Sequence, residues 1–152
     1  MILALNDIAA EYCVALAAEF APDFVPVVSY QPQILLEDLS SLAVRVIPRT
    51  LELATAARKM TQATSFVDVV VQRRLLPTTS DQPKTEGEQI KDVIDIVDQI
   101  AKWSMAEARK LIAAGGAQLL RMEFSPSVVS DLNERRVITA VLTLPYLSME
   151  GT

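Results

Sequence analysis

Apolar residues recur along the chain with two different periods, and each period predicts a different element. The clearest helical pattern repeats every three or four positions, at Ile90, Val93, Ile94, Val97, Ile100 and Ala101. Charged residues fill the other side of this pattern, and Thr85 and Glu88 have the spacing of a capping box. The pattern predicts an amphipathic helix that begins after Thr85 and continues through Trp103 toward Lys110.

A second helix is predicted at the start of the chain. Asn6 is a suitable N-cap, and Asp7 complements the positive end of the helix dipole. The residues with helical spacing are Ile8, Tyr12, Ala15, Leu16 and Glu19. We expect this helix to end at Ala21-Pro22.

Alternation of apolar and polar residues predicts the strands. The strand segments are Leu42–Pro48, Ser65–Leu76, Gln118–Phe124 and Val137–Leu147. The first two are expected to pair as a long hairpin, and Pro145 is expected at the edge or end of the last strand. The stretch from Phe24 to Pro32 contains two further prolines that interrupt β-branched residues, which predicts an extended edge segment.

Two segments are predicted to be loops. Residues 50–64 are ambiguous, because Leu51 and Leu53 could extend a strand whereas Ala56–Met60 has helical composition. We interpret this stretch as a long excursion with extended ends. Residues 77–86 contain prolines and small polar side chains, which are typical of a loop. Both segments are expected to be mobile in the free protein.

The order of elements is helix, strands, helix, strands. Because successive strands are joined without an obvious helix between them, an antiparallel sheet is favoured over a parallel one. We therefore predict an α+β fold, an antiparallel sheet with two main helices packed on one face. With no second hydrophobic unit, residues 1–152 are predicted to form a single domain.

Composition limits the possible partners. The net charge is −5, and the lysines and arginines occur in small scattered groups. Tight binding of nucleic acid phosphates requires many cations on one surface, so DNA is not expected as a gripped ligand. No secretory signal and no apolar run of membrane-spanning length is present, and we predict no membrane partner.

The chemistry available for catalysis is also limited. The chain contains no histidine, which removes the commonest general base and most zinc sites. The single cysteine, Cys13, is either a small buried hydrophobe, the favoured interpretation, or a nucleophile with some other activator. Asp92, Asp95 and Asp98 lie along one strip of the predicted helix, where a solvated acidic face is favoured over a site for a hard cation. We predict no catalytic residue, no cofactor and no metal.

Partner contacts are a further possibility. Trp103 and Met105 could seat a partner or close the domain's own core. The charged and polar residues of turns and strand ends are candidate assembly contacts, although solvated strand ends are the simpler alternative for the arginine pairs. These candidates are Arg58, Lys59, Arg73, Arg74, Thr79, Asp81, Lys84, Arg135 and Arg136.

Three features together resemble a known family. They are the strand ending in VVVQRRL (69–75), the amphipathic helix after its polar loop, and the ending LRMEFSPSVVSDLNERRVITAVLTLPYL (120–147). In that ending, a strand, a bend and a last strand look like the closing β-unit of the tail terminator proteins of long-tailed phages. The resemblance covers most of the chain but contains no invariant motif.

The resemblance implies a structural virion protein that is assembled in the host cytoplasm and located in the tail or neck. Such a subunit forms a ring, usually hexameric, that caps the head-proximal end of the tail tube and stops its polymerisation. The implied partners are other copies of the chain, the tail tube protein and the head connector, with DNA only as passing cargo. The alternatives are another neck, connector or minor tail protein, a non-viral interaction adaptor, and an enzyme that uses only carboxylates.

Overall fold

The structure is a computed structural model that describes residues 5–30, 42–111, 117–125 and 136–151. It contains the helices α1 (Leu5–Phe20) and α2 (Glu86–Glu107). The strands are β1 (Val27–Val28), β2 (Ala43–Ala57), β3 (Met60–Arg74), β4 (Lys110–Leu111), β5 (Ala117–Leu119), β6 (Glu123–Ser125) and β7 (Val137–Gly151). The predicted α+β class is confirmed.

The strands form one strongly curled sheet in the order β1-β2-β3-β7-β5-β4, and β6 also pairs with β7. Only the β1–β2 pair is parallel among these pairings. β3 lies at the centre and pairs along its whole length with β7, from Met60 opposite Gly151 to Arg74 opposite Val137. The predicted long hairpin is confirmed as β2 and β3, and the predicted extended edge segment contains the edge strand β1.

Both helices pack on one face of this sheet and share one core with it. On β3 and β7 the buried residues of that face alternate with the others, as Val67, Val69 and Val71 do on β3. Tyr12 of α1 joins the two helices, because its ring lies 5.9 Å from that of Trp103. Its hydroxyl lies 2.7 Å from that of Ser104. The predicted packing of the two helices is therefore confirmed.

The predicted start of α2 is correct and that of α1 is not. The Thr85 hydroxyl accepts a hydrogen bond from the Glu88 amide at 3.2 Å, and the Glu88 carboxylate accepts from the Thr85 amide at 3.4 Å. In α1, Leu5 is already helical, so Asn6 lies inside the first turn and is not the N-cap. Leu5 packs against the core, which favours a helix that already includes it. The helix ends at Phe20, as predicted.

The prediction of a loop over residues 50–64 is wrong. β2 and β3 continue through this stretch to a tight turn at Arg58-Lys59, where Lys59 has a positive φ of 61°. Within it, Leu51 is opposite Ser65 and Leu53 is opposite Ala63. Pairing satisfies the backbone of both strands along this length, and this outweighs the weak helical preference of the alanines.

Two further strand predictions need correction. The predicted strand Gln118–Phe124 is split into β5 and β6, with residues 120–122 between them. The last strand is confirmed but continues to Gly151, so Pro145 does not mark its end. β5 pairs with β7 as far as Tyr146, and β6 pairs with β7 from Thr143 onward. Pro145 of β7 therefore lies opposite the gap between β5 and β6. Its missing N–H therefore removes no hydrogen bond on that side.

The prediction of a loop over residues 77–86 agrees with the structure up to Thr85, since 75–85 contain neither helix nor strand. The loop has hydrogen bonds of its own, including one from the Thr79 amide to the Gln82 carbonyl at 2.8 Å. Its mobility remains a prediction. The bend expected before the last strand lies in residues 126–135, outside the described residues.

Candidate functional site

The most distinctive surface is a three-stranded ribbon at one end of the sheet. We define the ribbon as residues 50–57 of β2, 60–65 of β3 and 146–151 of β7, which lie side by side with one register shift, between Thr55 and Ala57 of β2. Residues 51–55 are all exposed. The sheet therefore extends at this end as a ribbon with a solvated outer strand.

The outer edge of the ribbon is open within the described part of the chain. β1 pairs with β2 at Arg45 and Val46 only, and Ser29 adds one hydrogen bond to the Val46 carbonyl. The edge from Ile47 to Ala57 has no partner strand there, a length of about 36 Å at about 3.3 Å per residue. Unpaired backbone groups along such an edge can accept another strand.

Apolar side chains lie on both faces of the ribbon. Leu51 is 40% exposed and Leu53 is 61% exposed, and both lie on the face that the helices cover elsewhere. Met149 is 49% exposed and lies on the opposite face, next to Gln62. An open edge flanked by exposed apolar side chains is typical of a surface that a partner covers.

The base of the ribbon is held by a small polar cluster. Arg49 interrupts the register between Pro48 and Thr50, and its Nε lies 2.9 Å from the Asp68 carboxylate. The guanidinium also lies over the Phe66 ring, 5.3 Å from its centroid. Thr143 donates to the other Asp68 oxygen at 2.9 Å. This cluster links β2, β3 and β7 at the point where the ribbon begins.

A groove of about 260 Å³ lies beside this base on the helix-free face. Gln62 and Thr64 of β3 form one wall, and Pro145 and Leu147 of β7 form the floor. Leu120 and Arg121, in the segment between β5 and β6, line the remaining side of the groove. Arg121 forms an ion pair with Glu123 at 2.8 Å. The groove lies on the same face of the ribbon as Met149 and on the opposite face from Leu51 and Leu53.

The structure separates the predicted assembly contacts into two groups. Arg58 and Lys59 form the turn at the tip of the ribbon, and both are exposed. Arg73 and Arg74 lie at the other end of β3. The loop that contains Thr79, Asp81 and Lys84 follows them, and Arg136 lies beside its start. A fifteen-residue strand such as β3 spans about 50 Å when straight. Arg135 lies outside the described residues.

We call the second group the loop end, and it is tied to α2. The Gln89 side chain accepts from the Leu76 amide at 3.0 Å and donates to the Leu76 carbonyl at 2.9 Å and the Lys84 carbonyl at 3.2 Å. Lys84 pairs with Asp92 at 2.5 Å, and Arg136 pairs with Glu86. Lys84 and Arg136 are therefore engaged within the subunit, whereas Thr79 and Asp81 face solvent.

The candidates for chemistry do not converge on a site. The Asp92 carboxylate is paired with Lys84, and Asp98 is paired with Lys102 at 2.7 Å. Within the described ranges, no three cysteine, aspartate or glutamate side chains are placed to hold a metal ion. Cys13 is buried, as favoured above, and burial raises the pKa of its thiol, which lowers its reactivity.

Trp103 and Met105 pack against the domain's own core. The Trp103 ring makes an edge contact with Phe20, with centroids 5.8 Å apart. Of the two alternatives for these residues, the structure favours the core.

Comparisons with models of known protein families and with curated protein sequences find no match. Over the described residues, neither helix has the length and apolar character needed to cross a bilayer.

The residues of the ribbon edge are absent from the predicted contacts. The predicted contacts are charged pairs and loop residues, whereas the exposed apolar residues of the ribbon are Leu51, Leu53 and Met149. The alternation Leu51-Glu52-Leu53 was the available signal. It indicates a strand, but it does not show that the apolar side of that strand is left uncovered.

Proposed function

We propose that this protein is a structural subunit of a phage tail that forms a ring at the head-proximal end of the tail tube. There it ends polymerisation of the tube and provides the docking face for the head connector. The observation that carries the proposal is the ribbon, with its open β2 edge and the exposed leucines beside it. The sequence resemblance to tail terminators supports the same assignment.

A tube end fits this surface for reasons of symmetry. The end of a tube presents the same unsatisfied surface once per subunit, and a ring presents one ribbon per copy. Each ribbon can therefore meet one equivalent surface. Addition of a strand to the open edge would pair its backbone groups, while Leu51 and Leu53 would supply apolar contact.

The two ends of the subunit suit two different partners. We assign the ribbon, with Arg58 and Lys59 at its tip, to the tube. The loop end, with Arg74, Thr79 and Asp81, is assigned to the head connector. A subunit with contact surfaces at both ends of a long strand can bridge two larger assemblies.

The charge of the chain agrees with DNA as passing cargo. The net charge is −5, and like charge disfavours the counterion release that drives tight binding to DNA. We therefore expect DNA to pass the ring without being retained.

The test is a substitution of the ribbon leucines in the full chain. Light scattering gives the mass of the free protein, and electron microscopy shows whether it caps tubes assembled from purified phage tail tube protein. We expect the wild-type protein to form rings, free or on the tube, and to cap one tube end. Leu51→Lys with Leu53→Lys should keep the fold, because both side chains are exposed, but should lose capping.

The matched control is Val14→Lys. Val14 is 71% exposed on α1, which is not one of the ribbon strands, so this variant should still cap tubes. A wild-type protein that stays monomeric and ignores tubes would overturn the proposal. Binding to the connector without tubes would indicate a different neck subunit, and a monomer or dimer that binds neither would favour an adaptor.

A further inference from the structure

The sheet ends in two margins that differ in character. Within the described residues, β1 pairs with β2 only, and we call this side of the sheet the β1 margin. On the other side, β4 pairs with β5 only and β6 pairs with β7 only, and we call this side the β4–β6 margin. Each margin therefore leaves one side of a strand without a partner strand there. Neither margin belongs to the ribbon.

The β1 margin is apolar and acidic. Three of its side chains are strongly exposed: Val25 at 68%, Val27 at 53% and Tyr30 at 68%. Glu19 and Asp23, at the end of α1 and just after it, are also exposed. The last turn of α1 contains no basic residue, so the negative end of the helix dipole adds to these carboxylates.

The β4–β6 margin is apolar and weakly basic, because its exposed cations outnumber the exposed carboxylate of Glu107 that precedes them. Leu120 is 58% exposed and Phe124 is 38% exposed. Arg109 and Lys110 are exposed cations at and just before β4, and the Arg109 carbonyl accepts a 2.6 Å hydrogen bond from Leu119 of the next strand. Arg121 and Glu123 form an ion pair at 2.8 Å, so their charges largely cancel.

The two margins complement each other, and neither complements itself. Two β1 margins would bring four carboxylates together, and two β4–β6 margins would bring four cations together, which is unfavourable. One margin of each kind joins apolar surface to apolar surface and carboxylates to cations. A contact between unlike surfaces of identical copies is head-to-tail and, where the rotation closes, forms a ring.

We propose that copies of this chain join head to tail, with the β1 margin of one copy on the β4–β6 margin of the next. The inference rests on the ring proposed above and names the surfaces that close it. It also leaves the β2 edge of the ribbon, with Leu51 and Leu53, free for a different partner.

Chemical cross-linking tests the pairing directly. In a Cys13→Ser background, Val27→Cys and Leu120→Cys are introduced separately and together, and a short bis-maleimide is added. The chain with both cysteines should give a ladder of covalent oligomers. Each single variant should stay uncross-linked alone, whereas a mixture of the two should give a dimer.

Val14→Cys in the same background is the matched control. It offers an exposed thiol outside both margins and should give no ladder. Cross-linking of Val27→Cys to itself would show a contact between like margins, and the proposal would be wrong. Absence of a ladder from the double variant under conditions where rings are present would also overturn it.

Charge reversal provides a second measurement, by sedimentation velocity. Arg109→Glu with Lys110→Glu should weaken self-association by about tenfold or more, and so should Glu19→Lys with Asp23→Lys. The chain with all four changes should regain association, because its margins again have opposite charge. Lys91→Glu with Lys102→Glu, a reversal of the same size on α2, should leave association unchanged.

The two proposals can fail separately. Rings that persist unchanged in the Arg109/Lys110 variant would place the ring contact elsewhere while the tail function stands. Conversely, head-to-tail oligomers that do not cap tubes would confirm these surfaces and reject the tail terminator role.

Discussion

At the scale of single residues, Gln89 has an unusual position. Its side chain is almost completely buried, 1% exposed, although it lies in the first turn of a helix. It makes three hydrogen bonds to backbone groups of Leu76 and Lys84. Gln89 thus ties both ends of the loop to α2.

We predict that Gln89→Ala destabilises the protein by about 1–3 kcal/mol, because the Leu76 amide and carbonyl lose their partners. Gln89→Glu should also destabilise it, since a carboxylate accepts from the Leu76 amide but cannot donate to either carbonyl. Urea unfolding measures both changes. Gln99→Ala, at an exposed position of the same helix, is the control and should have little effect; equal losses at both positions would contradict this role.

Two buried tyrosines should make stability depend on alkaline pH. The Tyr146 hydroxyl donates to the Ala108 carbonyl at 2.6 Å. The Ser104 hydroxyl donates to the Ile100 carbonyl at 2.7 Å, so Tyr12 donates to Ser104. Burial raises the pKa of both tyrosines well above the ordinary value. The folded protein therefore keeps these protons when the unfolded chain begins to lose them.

The sign of the effect follows from linkage. Their contribution is complete below the unfolded pKa of about 10 and falls as the pH rises above it, by about 1.4 kcal/mol per pH unit for each tyrosine. We predict that Tyr12→Phe and Tyr146→Phe each reduce this slope in urea unfolding between pH 9 and about pH 11. Tyr30→Phe, at an exposed position, should leave the slope unchanged; an equal reduction would refute the assignment.

At the scale of elements, the capping box of α2 is the local signal that the structure confirms in full. We predict that Thr85→Ala destabilises the protein by about 1 kcal/mol, because the Glu88 amide loses its acceptor. Thermal unfolding measures the change. Thr85→Ser retains the hydroxyl and should restore most of the stability, and a serine variant as unstable as the alanine variant would show that the cap is not the cause.

Elements whose determinants are local were predictable from sequence. The amphipathic period of α2, its capping box and the alternating valines of β3 each depend on residues close together in the chain. These local signals predicted α2, the position of its N-terminus and the hairpin of β2 and β3.

Elements that depend on distant partners were not predictable. The ribbon over residues 50–64 forms because β2 and β3 pair to the turn and β7 covers the far side of β3. Pro145 is tolerated inside β7 because a gap between β5 and β6 lies beside it. Neither the third strand nor the gap can be seen in the local sequence.

At the scale of the whole molecule, charge is distributed unevenly. α1 and α2 contain nine carboxylates and two lysines, a net charge of −7, whereas the complete chain has −5. All remaining residues together therefore have +2. The acidic balance of the protein is a property of its helices, and the sheet and its connections are slightly basic.

The acidic helix face tests the enzyme alternative. We predict that Asp92→Asn, Asp95→Asn and Asp98→Asn together leave tube capping and ring mass nearly unchanged. Only the pairs with Lys84 and Lys102 are lost, and ion pairs in contact with solvent contribute little to stability. Calcium or magnesium should not raise the thermal midpoint of the wild-type protein. A metal-dependent rise that the triple variant lacks would indicate a cation site.

The candidate surface was only partly predictable from sequence. The pairs Arg58-Lys59 and Arg73-Arg74 were recognised, and they lie at opposite ends of β3. The open edge at Leu51 and Leu53 was not, because exposure of an apolar residue depends on which elements fail to cover it. That property belongs to the assembled fold.

The full-length register of β3 and β7 has a mechanical consequence. A load applied between the ribbon tip and the loop end runs along both strands, because each reaches from one end to the other. The interstrand hydrogen bonds are perpendicular to such a load, so they are sheared together and are not opened one after another. The subunit is therefore built to resist stretching along this axis and to yield far more easily when its strands are peeled apart sideways.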